Sequence, residues 1–186
     1  MTEVEIKLSV GPTQPVACIL EALGAVLEHP RGFEENVLLD LPGKLLAKRG
    51  SIMRVRSYGG EGTVAFKSPA SGPEGFKARG EIETHVAEPA QMIQILEGAG
   101  FSQVWKYVKY RTLYRRGALA IMLDETPVGN YLELEGAPDA IDAFAARLGR
   151  SPSEYITANY RTLQENWCRE RGLVAGDLLF EQEATK

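Results

Sequence analysis

Residues 2–10, TEVEIKLSV, alternate charged and apolar side chains from one position to the next. Successive side chains of a β-strand point to opposite faces of the sheet. The stretch therefore predicts a strand with Glu3, Glu5 and Lys7 on one face and with valine, isoleucine and leucine on the other. The simplest explanation is a sheet that packs one face on helices and exposes the other to water. A single strand does not decide whether its charges face bulk water or the protein interior.

Six later segments carry charges with the same two-residue period, so that each segment presents its charges on one face. These charges are Arg54 and Arg56; Lys67; Arg79, Glu81 and Glu83; Lys109 and Arg111; Asp124; and Glu133 and Glu135. A face in water normally mixes threonine, serine and glutamine with its charges, whereas these strands present almost only carboxylates and cations. Adjacent like charges on one strand face repel each other. A compensating arrangement is therefore required: interleaved acids and bases, a bound metal or a bound polyanion.

The rest of the pattern predicts short strands joined by turns and helices. Besides the first strand, we expect strands at residues 33–40, 51–58, 63–67, 79–86, 101–115, 118–124 and 130–135, helices at residues 16–28, 89–98, 139–148 and 153–171, and a helical turn at residues 41–48. The glycine-rich residues 59–62 predict a hairpin turn. Residues 68–77, rich in proline and glycine, predict a loop that is either a plain connection or a lid.

These elements predict an α+β fold built on an antiparallel sheet of eight strands that can close into a barrel. We expect one domain of residues 1–172, followed by a tail of residues 173–186. In a closed barrel all the charged faces would line one lumen, where a low dielectric strengthens each interaction.

Composition excludes several classes of function. The net charge of -4 and the pI near 5.4 argue against non-specific binding to nucleic acid, and we expect no nucleic-acid partner. No segment resembles a signal peptide or a membrane span, and Cys18 and Cys168 are too few for a disulfide framework, so we expect a cytoplasmic protein without a membrane partner. Because His29 and His85 are the only histidines, we expect neither a histidine-rich zinc site nor a histidine-dependent triad. A homodimer is compatible with the sequence, which does not determine the oligomeric state.

The chemistry of the charged face points to a specific kind of ligand. Carboxylates bind hard cations such as Mg²⁺ or Mn²⁺ through oxygen, and arginines and lysines bind phosphate oxygens. A lumen with seven acids and seven bases therefore suits a polyanion that carries hard cations. We predict a metal–triphosphate site, with a small-molecule triphosphate as the partner.

The charged motifs resemble, in their order, those of the CYTH family, the triphosphate tunnel metalloenzymes. The hallmark of that family is E-x-E-x-K near the N-terminus, found here at Glu3, Glu5 and Lys7. The other family elements follow in order: R-x-R at Arg54 and Arg56, a lysine at Lys67, R-x-E-x-E at Arg79, Glu81 and Glu83, K-x-R at Lys109 and Arg111, an aspartate at Asp124, and E-x-E at Glu133 and Glu135. E-x-E-x-K alone is a weak pattern, but seven ordered elements on the correct faces of their strands are a strong one.

The resemblance implies a closed eight-stranded antiparallel barrel with a hydrophilic tunnel, and divalent-metal chemistry on a triphosphate. The implied ligands of the catalytic Mg²⁺ or Mn²⁺ are Glu3, Glu5 and Glu135. The implied further acids, which could support a second metal, are Glu81, Glu83, Asp124 and Glu133. The implied phosphate-binding residues are Lys7, Arg54, Arg56, Lys67, Arg79, Lys109 and Arg111. We expect catalysis itself to depend on Glu5, Lys67, Lys109 and Asp124.

The reaction is predicted from finer features of the resemblance. The opening EVEIKL, the chain length and S-x-x-E-Y-I at residues 151–156 resemble the class IV adenylyl cyclase (CyaB-like) and thiamine triphosphatase branch. The E-I-E-R-K-F opening of the compact inorganic triphosphatases is absent. The expected reaction is conversion of ATP to cyclic AMP and pyrophosphate. The alternatives are hydrolysis of inorganic tripolyphosphate, thiamine triphosphate or a nucleoside triphosphate, and binding of polyphosphate or nucleotide without turnover.

Overall fold

The computed structural model describes residues 2–71 and 75–181. In chain order the elements are β1 (Thr2–Val10), α1 (Thr13–Ala22), β2 (Val26–Asp40), α2 (Leu45–Lys48), β3 (Ile52–Tyr58), β4 (Glu61–Lys67), β5 (Lys77–Val86), α3 (Pro89–Gly98), β6 (Ser102–Arg116), β7 (Leu119–Thr126), β8 (Gly129–Glu135), α4 (Pro138–Arg147), a 3₁₀ turn (Pro152–Glu154) and α5 (Tyr160–Glu170). Part of the predicted loop at residues 68–77, namely residues 72–74, lies outside the described residues. Among the described residues, no helix has the length and apolar character needed to cross a membrane.

The eight strands form a closed antiparallel barrel in the order β1-β5-β4-β3-β2-β6-β7-β8. β1 closes the barrel by pairing with β5 through its first half and with β8 through its second half. The predicted fold class, an α+β protein with a closed eight-stranded barrel and flanking helices, is confirmed.

Apolar side chains of β1 and β8 point outward, where α4 covers them. Ile6 and Leu8 of β1 and Leu134 of β8 are fully buried, in one cluster with Ile141 and Phe144 of α4. Burial of such a side chain contributes about 1.5–3 kcal/mol. Because neighbouring residues of a strand face opposite ways, this packing turns the charged residues between them toward the lumen.

The predicted helix at residues 16–28 is wrong in its second half. α1 ends at Ala22, and Gly24 adopts a positive φ of 83°, a conformation that commonly ends a helix and that glycine adopts without strain. The chain then enters β2 at Val26, well before the predicted strand start at residue 33. The extra residues pair with the equally long β6, with register shifts between Leu27 and Gly32.

The predicted continuous helix at residues 153–171 is also wrong in its first half. A capping box at Ser151 supports only the single 3₁₀ turn. The chain then becomes extended, and Ile156 exchanges two backbone hydrogen bonds of 2.9 Å with Lys7 of β1. The helix α5 begins at Tyr160. The side chain of Asn159, just before it, accepts a hydrogen bond from the backbone N–H of Thr162, the third residue of the helix. Pairing with the barrel thus overrides local helix propensity and carries Tyr160 to the lumen.

Part of the predicted tail packs on the barrel. Leu178 is buried, and its backbone exchanges hydrogen bonds of 2.9 and 3.0 Å with residues 106 and 108 of β6. The indole of Trp105 donates to the carbonyl of Gly176 at 3.0 Å. The domain boundary at residue 172 stays a prediction, and residues 182–186 lie outside the described residues.

Candidate functional site

The barrel encloses a cavity of about 890 Å³ whose wall draws residues from all eight strands. Tyr58 and His85 lie on this wall toward one end of the barrel, and Trp105 and Tyr160 lie toward the other. The cavity is therefore large enough to hold a small molecule.

The structure gathers all fourteen predicted site residues at this lumen. Twelve of them line the cavity: Glu3, Glu5, Lys7, Arg54, Arg56, Lys67, Arg79, Glu83, Lys109, Arg111, Glu133 and Glu135. The other two, Glu81 and Asp124, lie behind the cavity surface and form ion pairs with lining cations. Their roles in catalysis, phosphate binding and metal binding stay predictions.

The first group of charges is carried by β1, β5 and β8. Glu5 lies directly opposite Glu135 in the β1–β8 register and opposite Lys77 in the β1–β5 register. Its carboxylate forms ion pairs with Lys77 and, at 3.3 Å, with Lys7. Burial alone would raise the pKa of Glu5, but the two ammonium groups outweigh it and lower the pKa to about 2. Lys7 also pairs with Glu133 at 3.2 Å.

Glu135 differs from the other lumen acids. Within the described part of the chain it forms no ion pair or hydrogen bond, although it is more than half buried. Burial and the nearby negative charges of Glu3 and Glu5 raise its pKa to about 7. This corner of the lumen therefore carries negative charge that the neighbouring cations of the protein do not fully compensate.

The second group, on β3, β4 and β5, interleaves cations with acids. Arg54 pairs with Glu81 and Glu83 at 3.3 and 3.2 Å, and Arg56 pairs with Glu83 at 3.1 Å. Lys67 pairs with Glu81 and, at 2.9 Å, with Glu3. Interleaving is the first of the three compensating arrangements that the sequence required, and it applies to this wall.

The third group is centred on the fully buried Asp124 of β7. Asp124 accepts hydrogen bonds from Lys109 at 2.8 Å, from two nitrogens of Arg111 at 2.7 and 2.6 Å, and from the Tyr160 hydroxyl at 2.6 Å. Burial and Asp124 raise the pKa of Tyr160 well above its usual range, so the hydroxyl remains a donor at neutral pH. Arg111 also pairs with Glu133, which ties this group to the first.

Among the predicted phosphate-binding residues, Arg79 differs in that its hydrogen bonds go to backbone carbonyls. It lines the cavity, but one guanidinium nitrogen donates to the backbone carbonyls of Gly50 and Ser68 at 2.9 and 3.0 Å. This guanidinium is therefore partly engaged with the loops at the rim. Within the described residues, the hydrogen bonds of Arg54 and Arg56 go to side chains of the wall.

The lumen residues that sequence reasoning missed include Glu34, Asn36, Lys77 and Tyr160. Glu34 and Asn36 alternate within a strand that was predicted, so the two-residue period could have found them. Lys77 has the same parity as Arg79 but stands at the edge of a predicted loop. Tyr160 follows no strand period, and no sequence signal connects it to the barrel.

Glu34 is buried beside two of the phosphate-binding candidates. Its carboxylate lies 3.4 Å from Lys109 and 3.7 Å from Arg111, and it accepts a hydrogen bond of 2.9 Å from Asn36. Burial would raise the pKa of Glu34, but Lys109, Arg111 and Arg56 outweigh it and lower the pKa to about 2. Glu34 is therefore an eighth acid of the lumen, and it is ionised at neutral pH.

The lumen residues fit a divalent cation by their chemistry. Among the residues that the structure describes, no three histidine, cysteine, aspartate or glutamate side chains already converge as a metal site. Glu3, Glu5 and Glu135 nevertheless are neighbouring oxygen donors on the barrel wall, the ligand type that hard divalent cations prefer. The uncompensated charge at Glu135 favours a cation there. The present ion pair between Glu5 and Lys77 would have to give way to it.

Comparison with known proteins places the chain among relatives with this architecture. The model of the CYTH domain matches residues 1–148. The chain belongs to the CYTH family. CYTH proteins are adenylate cyclases or triphosphatases and depend on divalent metals, so membership of the family makes the protein an enzyme.

Three similar proteins illustrate the range of similarity. The chain is 26% identical over 174 residues to the adenylate cyclase CyaB of Aeromonas hydrophila, and this match covers 88% of each protein. It superposes with a TM-score of 0.73 on a protein of Pyrococcus horikoshii, at 22% identity, covering 87% of this chain and 98% of that one. It superposes with a TM-score of 0.62 on a candidate adenylyl cyclase of Hippeastrum described as having a dominant triphosphatase activity, at 19% identity, covering 93% and 97%. The two structural likenesses support the fold.

Proposed function

We propose that the protein is a divalent-metal-dependent enzyme that converts a small-molecule triphosphate inside the barrel lumen. The observation that carries this proposal is the charge arrangement of the lumen. Cations from several strands surround a cavity of about 890 Å³, and the acids Glu3, Glu5 and Glu135 are grouped at one corner of it. A triphosphate with a bound divalent cation matches both groups, because its phosphates suit the lumen cations and its metal suits the three acids.

In this proposal the cations of the lumen bind the phosphate chain. Arg54, Arg56 and Lys67 lie on one wall, and Lys109 and Arg111 lie on another. Charge-assisted hydrogen bonds to phosphate are stronger than neutral ones, and an arginine can form two in parallel. Because these cations are already held by carboxylates, their positions are set before the substrate binds, which favours transition-state stabilisation without reorganisation.

A divalent cation would be held by Glu3, Glu5 and Glu135, where it would supply Lewis-acid activation of the attacking oxygen and neutralise phosphate charge. The protein itself contributes Lys7, which keeps the Glu5 carboxylate ionised through an ion pair of 3.3 Å. Ionised carboxylates are the form that binds metal.

ATP cyclisation is the first candidate reaction. In it the ribose 3′-hydroxyl attacks the α-phosphorus, and the bond to the β-phosphate oxygen breaks to release pyrophosphate. The likeness to the adenylate cyclase CyaB over 88% of the chain supports this candidate. The lumen cations would stabilise the charge that develops on the departing pyrophosphate.

Triphosphate hydrolysis is the second candidate reaction. In it a water oxygen attacks the terminal phosphorus, the bond from that phosphorus to the bridging oxygen breaks, and orthophosphate and the diphosphate product are released. The likeness to the Hippeastrum protein with its dominant triphosphatase activity supports this candidate. The two reactions use the same cations and differ in where the phosphate chain sits along the tunnel.

A panel of substrates separates these reactions. Purified protein is incubated with ATP, inorganic tripolyphosphate or thiamine triphosphate, each with Mg²⁺ or Mn²⁺. Cyclic AMP with pyrophosphate supports the cyclase, and orthophosphate supports the hydrolase. Tight binding of a triphosphate without metal and without any turnover would instead indicate a non-catalytic binding protein.

A conservative variant tests the metal assignment. Glu5→Gln should abolish turnover of the accepted substrate while the protein stays folded, since the amide removes the anionic oxygen. The matched control is Glu154→Gln, because Glu154 is an exposed acid paired with Arg150 outside the barrel. Near-normal turnover by Glu5→Gln would contradict the metal-ligand role of Glu5.

A further inference from the structure

Tyr160 brings the C-terminal helix into contact with the charged lumen. It is the first residue of α5 and follows the extended segment that Ile156 anchors to Lys7 of β1. Its side chain is buried, and its ring lies between Tyr107 at 6.1 Å and Tyr131 at 5.7 Å. The ring is therefore fixed on two sides before any ligand enters.

The hydroxyl of Tyr160 shares one carboxylate oxygen with a phosphate-binding candidate. It donates to Oδ2 of Asp124 at 2.6 Å, and Lys109 and Arg111 donate to the same oxygen at 2.8 and 2.6 Å. Each hydrogen bond donated to a carboxylate offsets part of the negative charge of that carboxylate. The hydroxyl therefore weakens the hold of Asp124 on Lys109, while Lys109 stays aligned with the carboxylate.

The ring of Tyr160 supports two ammonium groups from different strands. Lys109 Nζ lies 4.8 Å from the ring centroid, and Lys7 Nζ lies 5.3 Å from it. Cations within about 6 Å of an aromatic face are attracted by its quadrupole. Both ammonium groups are thus held near one aromatic surface, and both line the cavity.

We propose that Tyr160 is a positioning residue of the triphosphate site, which orients Lys109 and Lys7 toward the phosphate chain from outside the family's charged strand motifs. The inference rests on the proposed function for the identity of the ligand. It assigns to α5 a role in substrate affinity, in addition to its packing against the barrel.

The chain contains a matched control for the hydroxyl. Tyr155 lies in the same segment and donates a comparable hydrogen bond of 2.8 Å to Asp142 of α4, away from the lumen. Tyr155→Phe and Tyr160→Phe therefore each remove one tyrosine–aspartate hydrogen bond and keep the ring. Tyr160→Leu removes the aromatic face as well.

The test measures tripolyphosphate affinity by titration calorimetry without metal, and KM and kcat for whichever triphosphate the wild type converts. We expect Tyr160→Phe to weaken tripolyphosphate binding and to raise KM by roughly tenfold, with kcat changed less than KM. Tyr160→Leu should bind more weakly still, and Tyr155→Phe should stay within about twofold of wild type.

A merely structural role would give a different result. It would lower the thermal midpoint and the active fraction, and so the apparent kcat, while affinity and KM stayed at the wild-type values. Any one of three results would overturn the positioning role. These are that pattern, equal affinities of Tyr160→Phe and Tyr155→Phe, or failure of the wild type to bind tripolyphosphate. Absence of turnover by a wild type that binds tripolyphosphate would instead contradict the proposed enzyme, and the affinities would still decide the role of Tyr160.

Discussion

Asp124 and Glu135 are carboxylates of the same lumen with opposite surroundings. Asp124 is fully buried and accepts hydrogen bonds from Lys109, Arg111 and Tyr160. Glu135 forms none within the described residues, and its pKa is raised to about 7 by burial and nearby acids. One carboxylate organises cations, and the other leaves negative charge without a partner.

This difference separates two tasks within one charged cavity. The cluster around Asp124 holds its cations in place before a ligand arrives, as preorganised electrostatic stabilisation requires. The corner at Glu135 gains from an added cation, because like charges at close range destabilise each other. The lumen therefore combines a fixed region for anions with a region that favours a metal.

Removal of Asp124 should give the largest effect on stability. Asp124→Ala leaves Lys109 and Arg111 buried with less compensation, and loss of one partner of a buried ion pair costs about 3–5 kcal/mol. Urea denaturation at pH 7 measures the free energy of unfolding. The control is Asp142→Ala, which loses a hydrogen bond to Tyr155 outside the lumen and should cost about 1 kcal/mol. Equal losses in both variants would contradict the organising role of Asp124.

Removal of the charge at Glu135 should instead affect metal binding. Glu135→Gln should lower Mg²⁺ or Mn²⁺ affinity at least about tenfold, a typical cost of a change at a metal site, without lowering stability. Titration calorimetry of the metal and urea denaturation provide the two measurements. Glu125→Gln is the control, since that acid pairs with Arg31 at the surface. Unchanged metal affinity in Glu135→Gln would show that the corner does not hold the cation.

A wall cation should contribute to phosphate binding by a comparable amount. Arg54→Ala should weaken triphosphate binding about ten- to a hundredfold, because a charge-assisted hydrogen bond contributes roughly 1.5–3 kcal/mol. Arg150→Ala, whose partner Glu154 is exposed outside the barrel, should bind normally. If both variants bind triphosphate as tightly as wild type, the phosphate lies elsewhere in the tunnel.

The acid limb of stability should show the smallest change when the change is expressed per pH unit. The folded-state pKa of Glu34 is about 2, below the ordinary 4.5. Glu34 therefore contributes stability that is complete above pH 4.5 and is lost as pH falls toward 2. Glu34→Gln should reduce the slope of unfolding free energy against pH in this interval by at most about 1.4 kcal/mol per pH unit. Denaturation midpoints between pH 5 and 2.5 measure it; an unchanged slope would contradict the ion pairing of Glu34.

The barrel and most of the lumen could be predicted because both depend on strand parity. Once Ile6 and Leu8 face helices, Glu5 and Lys7 have to face the other side of the sheet. The same rule applied to each strand located fourteen lumen residues. It would have located Glu34 and Asn36 too, had the period been tested on the strand that contains them.

Other features depend on contacts between segments far apart in the chain. The length of β2 follows from pairing with β6, and the extended residues before α5 follow from pairing with β1. Neither is a local property, so local periodicity predicted helix in both places. Tyr160 reaches the lumen only through the second of these pairings.

The sequence by itself determined which residues share a face, and hence the charge of the lumen and the membership of its fourteen predicted residues, because side-chain direction in a strand is a local geometric property. Only the tertiary structure decided which carboxylate meets which cation. Closure of the barrel sets the register between β1 and β8, and this register places Glu135 opposite Glu5, whereas Asp124 lies opposite Arg111. The contrast between a compensated and an uncompensated carboxylate is therefore a consequence of strand register.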